Sequence, residues 1–121
     1  MTETTANRRR DARHEFSTAA AAWVEFDDPK EQRRRLPLLD LSVAGLAFTV
    51  PRWMHTVDAG CQLDRAVIRV GDARVEGRIL VLHVTGRGDA DSVCGALFYP
   101  GSDGDENRLV SLISGFEAAR V

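Results

Sequence analysis

The stretch Asp40-Leu41-Ser42-Val43-Ala44-Gly45-Leu46-Ala47-Phe48-Thr49-Val50 changes character part-way. From Leu46 onward, apolar residues fall at every second position. Leu46, Phe48 and Val50 alternate with Ala47 and Thr49, which is the period of a half-buried strand. Pro51 ends that strand because it cannot donate to a ladder. Before Leu46, Asp40, Ser42 and Gly45 supply the short polar side chains and the glycine of a tight turn, read over 40–45. A strand from Gln32 to Leu39 enters the turn, and Pro37 suggests an edge or a bulge in it.

The same period extends in both directions. Upstream, Asp27-Asp28-Pro29-Lys30 is a turn. Before it, Phe16, Thr18, Ala20, Ala22, Val24 and Phe26 alternate with Ser17, Ala19, Ala21, Trp23 and Glu25. The alanines also suit a helix, but the aromatic ends and the length favour a strand over 16–26. Residues 1–15 are polar and basic without apolar period, and read as a mobile arm. Downstream, 52–60 reads as loop, Leu63 to Val70 as a strand, Gly71-Asp72 as a hairpin turn and Arg74 to Thr85 as its partner. A second turn over 86–91 leads to a last strand from Val93 to Tyr99, ended by Pro100-Gly101. The period then becomes helical. Leu109, Leu112, Ile113 and Phe116 fall at i, i+3, i+4 and i+7, with Asp103 or Asp105 as cap. Six short strands and one helix predict a mainly β fold, a six-stranded antiparallel barrel with a C-terminal α-helix and a flexible N-terminal arm.

Composition narrows the function classes. The 121 residues suffice for one core, with 44% hydrophobic and 28% charged residues and a formal net charge of −2. The charge is unevenly spread. Arg8, Arg9, Arg10 and Arg13 form one basic cluster, and Arg33, Arg34 and Arg35 form another that reads as a solvated strand face. Lys30 is the lone lysine among 16 cationic residues. Local basicity on an acidic chain suits a small anion better than a long nucleic acid. Eight aromatics, most at core positions, argue against single-stranded DNA or RNA binding. Cys61 and Cys94 have no metal-ligand spacing, the three histidines are scattered, and no apolar run approaches membrane-spanning length. The cytoplasm is the expected compartment. No cofactor, metal or catalytic role is expected: Ser42 has no histidine at a recognisable spacing.

Two local motifs stand out: Arg9-Arg10-Asp11-Ala12-Arg13, an Arg-x-x-x-Arg, and Asp40-Leu41-Ser42-Val43-Ala44-Gly45, an Asp-x-Ser-x-x-Gly between apolar strands. In this order, with a strand between and a barrel after, they resemble the PilZ domain. The resemblance runs from about Arg8 to Ala118. It includes Gly77-Arg78-Ile79-Leu80-Val81 and Gly95-Ala96-Leu97-Phe98, similar to the family's last two barrel strands. It implies a disordered tail over 1–8, a single PilZ domain over 9–118, and a bacterial receptor for cyclic di-GMP that acts in motility or biofilm regulation through a partner protein. The alternative is a degenerate PilZ-fold interaction module that binds protein alone; the arginines kept here count against it.

The implied site consists of Arg9, Arg10, Arg13, Asp40, Ser42 and Gly45, and the residue types fit the ligand. A guanidinium forks onto guanine O6 and N7 or onto phosphate oxygens, and stacks on a purine face. Arg9 and Arg13 share a side whether the arm is extended or helical. The Asp40 carboxylate matches the paired N1–H and amino donors of guanine, which adenine lacks. Ser42 can donate to guanine N7 or a phosphate, and in an extended strand faces the same side as Asp40. Gly45 allows a positive φ or a close backbone approach. The plainer readings are a solvated basic tail and a side-chain-capped turn. The family often adds an aromatic or cation from a later strand; Val81 or His83 falls there and offers no clear stacking group.

Overall fold

The computed structural model describes residues 13–17, 20–86 and 90–119. Among these residues, seven strands and one helix follow in order: β1 (His14–Glu15), β2 (Ala22–Asp27), β3 (Arg33–Leu41), β4 (Gly45–Val50), β5 (Gln62–Val70), β6 (Ala73–Thr85), β7 (Ser92–Pro100) and α1 (Asp103–Ala119). All pairings are antiparallel. The order β3-β2-β5-β6-β7-β4 closes on itself through β3 and β4, giving a six-stranded barrel, with β1 added beside the end of β3.

Alternation explains the closure. Val24 and Phe26 of β2, Leu36, Leu38 and Leu41 of β3, Leu46, Phe48 and Val50 of β4, and their counterparts on β5 to β7 are fully or nearly fully buried in one core. Closing the sheet leaves no free edge between these six strands. Leu109 and Ile113 carry the helix stripe into the same core, and α1 contacts β6 and β7. Cys94 is buried in that core; desolvation, then the neighbouring Cys61, pushes its thiol up to about 12, which removes thiolate chemistry there.

Several expected boundaries move. The strand read over 16–26 is split. Alternation holds through Ala22–Asp27, but Phe16 N donates to Leu39 O and Ala20 N to Ser17 O, so the chain bends between β1 and β2. The arm expected to be mobile over 1–15 does not include His14 and Glu15, which pair with Leu41 and Asp40. The stacked rings of His14 and Phe116, 3.9 Å apart, hold that pairing to the helix. The tail over 1–8, Arg9 and Arg10 lie outside the described residues. The turn expected over 40–45 is tighter, since Asp40 and Leu41 still belong to β3. Pro37 pairs with Trp23, next to a register shift between Leu38 and Asp40. The helix cap is Ser102 rather than Asp103 or Asp105: its hydroxyl accepts from Asp105 N and donates to Asp105 Oδ2, a Ser-x-x-Asp box.

Two carboxylates anchor the turns. Asp105 accepts from Glu76 N at 3.0 Å and from Arg108, which ties the helix start to β6. Asp28, only 3% exposed, accepts from Lys30 N, Gln32 N, Arg34 Nε and Thr56 Oγ1. It joins the β2–β3 turn to the loop after β4. Arg34, expected on a solvated face, is thus half-buried and paired, while Arg33 and Arg35 do point outward.

Desolvation opposes ionisation of Asp28, but the bonds from Gln32, Arg34, Thr56 and Lys30 outweigh it and hold its carboxyl below 3.8. A depressed carboxyl adds stability above its unfolded pKa and loses it as pH falls through the folded value. Thermal melts should therefore stay level down to about pH 4 and fall steeply below it. Asp28→Ala should cost about 3 kcal/mol at pH 7, because four donors lose their acceptor. Its melting temperature should fall less between pH 4 and pH 2 than the wild type's; parallel acid curves would remove Asp28 from this role.

Candidate functional site: an acidic wall beside the arm

Arg13 and Asp40 are 27 residues apart in sequence and meet in space. Arg13 Nη1 donates to Asp40 Oδ1 at 3.1 Å, with the two side chains 53% and 21% exposed. The geometry follows from β1. Pairing Glu15 with Asp40 and His14 with Leu41 puts Arg13 just beyond the end of the ladder, within reach of the carboxylate. Such a pair contributes at most about 1 kcal/mol to stability, because solvent screens it. Its value is positional: it brings the last arginine of the Arg-x-x-x-Arg motif to the first residue of the Asp-x-Ser-x-x-Gly motif.

Ser42 lies just outside β3 and is buried. Its backbone N donates to Gly45 O at 2.8 Å, its hydroxyl donates to the same oxygen, and Gly45 N donates back to the hydroxyl at 3.1 Å. The side chain thus locks the turn, and does not share an extended strand face with Asp40. Of the two reasons for glycine at 45, close approach is the one that applies. A Cβ there would lie 2.4 Å from Ala96 O, and the residue has no positive φ. The missing side chain lets β4 pair with β7.

The strand register adds residues that the motifs do not contain. Asp40 pairs with Ala47, Ala47 with Gly95, and Gly95 with His83. Paired residues of antiparallel strands share a face, so these four form a row on the outer wall of β3, β4, β7 and β6. The middle of the row is a methyl group and a bare glycine: a low floor between a carboxylate and an imidazole. The His83 ring leans over that floor, since a Cβ on Gly95 would meet its Cε1 and Nε2 at 2.4 Å. A bulge at Leu82, between the Val81 and His83 pairings, turns His83 onto this row, while Val81 faces the core. Leu97 and Val93 flank the floor on β7.

This wall can bind a flat polar ring. Ala47 and Gly95 are themselves buried, so a ring reaches this floor when the His83 imidazole swings aside; Asp40 then accepts two parallel donors and Arg13 brings a cation. Among the described residues no group of three or more His, Cys, Asp or Glu could hold a metal ion, and no helix is long and apolar enough to cross a membrane. The only signal in the sequence for the floor was small residues at Ala47 and Gly95. That signal becomes readable once the register between β4 and β7 is known.

No family model matches the sequence, and a search of curated proteins finds no match. Solved structures do match in three dimensions. The PilZ domain of YcgR from Escherichia coli, determined with c-di-GMP, is 14% identical with a TM-score of 0.72, over 89% of this chain and 90% of that one. The K. pneumonia MrkH–c-di-GMP complex is 12% identical with a TM-score of 0.74, over 88% and 50%. The Bacillus subtilis inhibitor of motility MotI/DgrA is 16% identical with a TM-score of 0.70, also over 88% and 50%. The chain therefore spans about half the length of MrkH and MotI and nearly all of the YcgR domain. Six closed antiparallel strands, an added strand and a C-terminal helix, superposing on these proteins along most of their path, give this chain the fold of the PilZ domain.

Proposed function

We propose that the chain is a receptor for cyclic di-GMP, with residues 9–118 as the binding domain. The observation that carries this reading is the Arg13–Asp40 contact, which joins the two motifs on one wall. Two of the matched structures contain that nucleotide, which supports the same ligand class here. In the proposed complex, the exposed His83 ring swings off Gly95 and guanine takes its place on the Ala47–Gly95 floor, with its N1–H and amino edge toward Asp40. Arg13 leaves the carboxylate for a phosphate or for guanine O6 and N7. Arg9 and Arg10 follow; four residues of extended chain reach about 14 Å from Arg13, enough to close over the ligand. Ser42 and Gly45 hold the turn; the Ser42 hydroxyl is buried and spends its one donor on Gly45 O, so it does not make the expected bond to guanine N7 or a phosphate.

The energetics favour exchange. The exposed Arg13–Asp40 pair is weak, so replacing it costs little, while charge-assisted contacts to two phosphates and a guanine edge offset the entropy lost in ordering the arm. The ordered arm then presents a new surface to a partner protein. Ser42's hydroxyl is committed to the Gly45 backbone rather than to a base, so Ser42 is not poised as a nucleophile.

Calorimetric titration of the wild type with cyclic di-GMP should show saturable binding, weakened by at least about tenfold in Arg13→Ala with little change in melting temperature. A wild type that gives no heat would leave the protein-interaction reading in its place. Asp40→Ala should reduce the preference for cyclic di-GMP over cyclic di-AMP by about tenfold, because adenine offers no matching donor pair; equal losses for both nucleotides would show that Asp40 does not read the base. Gly95→Ala should keep the fold yet push the His83 imidazole off the floor. That displacement should appear as a changed His83 ring signal in NMR and a weaker nucleotide affinity, and an unmoved ring would mean that the floor is not shaped as described.

A further inference from the structure

The β2–β5 wall lies across the barrel from the β4–β7 wall, because β2 stands opposite β7 and β5 opposite β4 in the ring of strands. Its outer surface has a different chemistry. Between β3 and the first half of β6 runs a groove of about 430 Å³, edged by Arg33, Arg65, Arg74 and Arg78. Arg33 and Arg65 are fixed there. Both pair with Asp27, and Arg33 also donates to Arg65 O at 2.6 Å. Arg65 sits at a register shift of β5 with φ of 48°, a left-handed conformation that residues with side chains seldom adopt. The bulge and the pair to Asp27 hold its guanidinium at the groove.

The other two arginines are loosely held. Arg74 reaches Glu76 only at 3.5 Å, with both side chains more than half exposed. Arg78 makes no ion pair among the described residues. Beside it, in register, stands the exposed ring of Tyr99. At the far margin, Arg35 lies 4.4 Å over the ring of Trp23. A cationic patch on a chain of net charge −2, with arginine, tyrosine and tryptophan and no lysine, has the composition of a protein-docking surface.

We propose that this groove docks an acidic, aromatic-containing segment of a partner protein, held chiefly by Arg74 and Arg78. The carboxylates of Asp27 and Glu76 decide against a nucleic acid. They interrupt the row of cations, so an evenly charged phosphate backbone would meet repulsion, whereas a peptide can set its carboxylates opposite Arg74 and Arg78 and its ring against Tyr99. The groove is a standing contact for a partner, separate from the surface that the ordered arm presents, and it rests on the receptor reading only for its purpose. Its chemistry is independent of the nucleotide, because the two walls face away from each other.

The test titrates the isotope-labelled full chain with a synthetic hexapeptide of sequence DEYEDE, and separately with a six-nucleotide thymidine oligomer, each with and without cyclic di-GMP. The peptide should shift backbone amides across 65–78 and at Tyr99. Its affinity should fall by at least about tenfold in the double variant Arg74→Glu, Arg78→Glu, and about threefold in the milder Arg78→Ala. Nucleotide binding by these variants should be unchanged. Absence of peptide shifts at about 1 mM, equal binding by wild type and double variant, or tighter binding of the thymidine oligomer on this face would each overturn the proposal. Peptide docking on a chain that ignores cyclic di-GMP would instead sustain the groove and remove the receptor reading.

Discussion

A Cβ on Gly45 would stand 2.4 Å from the carbonyl oxygen of Ala96, and the rest of the wall depends on that atom being absent. With glycine there, β4 lies directly on β7 and the barrel closes at the β3–β4 turn. Closure fixes the register, and the register sets Asp40, Ala47, Gly95 and His83 in one row. The Ser42 hydroxyl then holds the turn from both sides, so the position of Asp40 is set by backbone and core rather than by its own ion pair.

The two kinds of carboxylate in the molecule are held in different ways. Asp28 and Asp105 are buried, accept several hydrogen bonds and hold the connections between elements. Asp40 is partly exposed and paired with one exposed guanidinium. A screened pair of that kind adds little to folding, and in the proposed complex it gives way to the nucleotide. Arginine is likewise used in two ways: Arg34 is locked onto buried Asp28, whereas Arg13 stands just before β1 and pairs with Asp40 in solvent.

Much of the architecture was legible because alternation survives wherever one strand face is buried. The strands at Leu46–Val50, Leu63–Val70 and Val93–Tyr99 and the stripe Leu109–Phe116 fall where the periods put them. The segment over 16–26 misled for a physical reason: its alanines carry no strong strand preference, so the bend after Phe16 left no mark in the pattern. The cap was missed because Ser102 precedes three acidic residues that also suit a helix start. Of the residues that the family resemblance implied for the site, Arg13, Asp40, Ser42 and Gly45 stand at one corner of the barrel. The Ser42 hydroxyl faces the turn because Asp40 still belongs to β3 and the chain has left the strand by Ser42. The floor and His83 were hidden because they depend on which residue of β7 lies opposite which residue of β6 across a bulge at Leu82, and no local pattern encodes that choice.

The most direct test is a crystal structure of the chain grown with excess cyclic di-GMP. The account predicts guanine flat on Ala47 and Gly95, the Asp40 carboxylate on its N1 and amino edge, and the guanidinium of Arg13 moved from Asp40 to the nucleotide. A nucleotide bound elsewhere on the barrel, or a wall left unchanged with the Arg13–Asp40 pair intact, would contradict it.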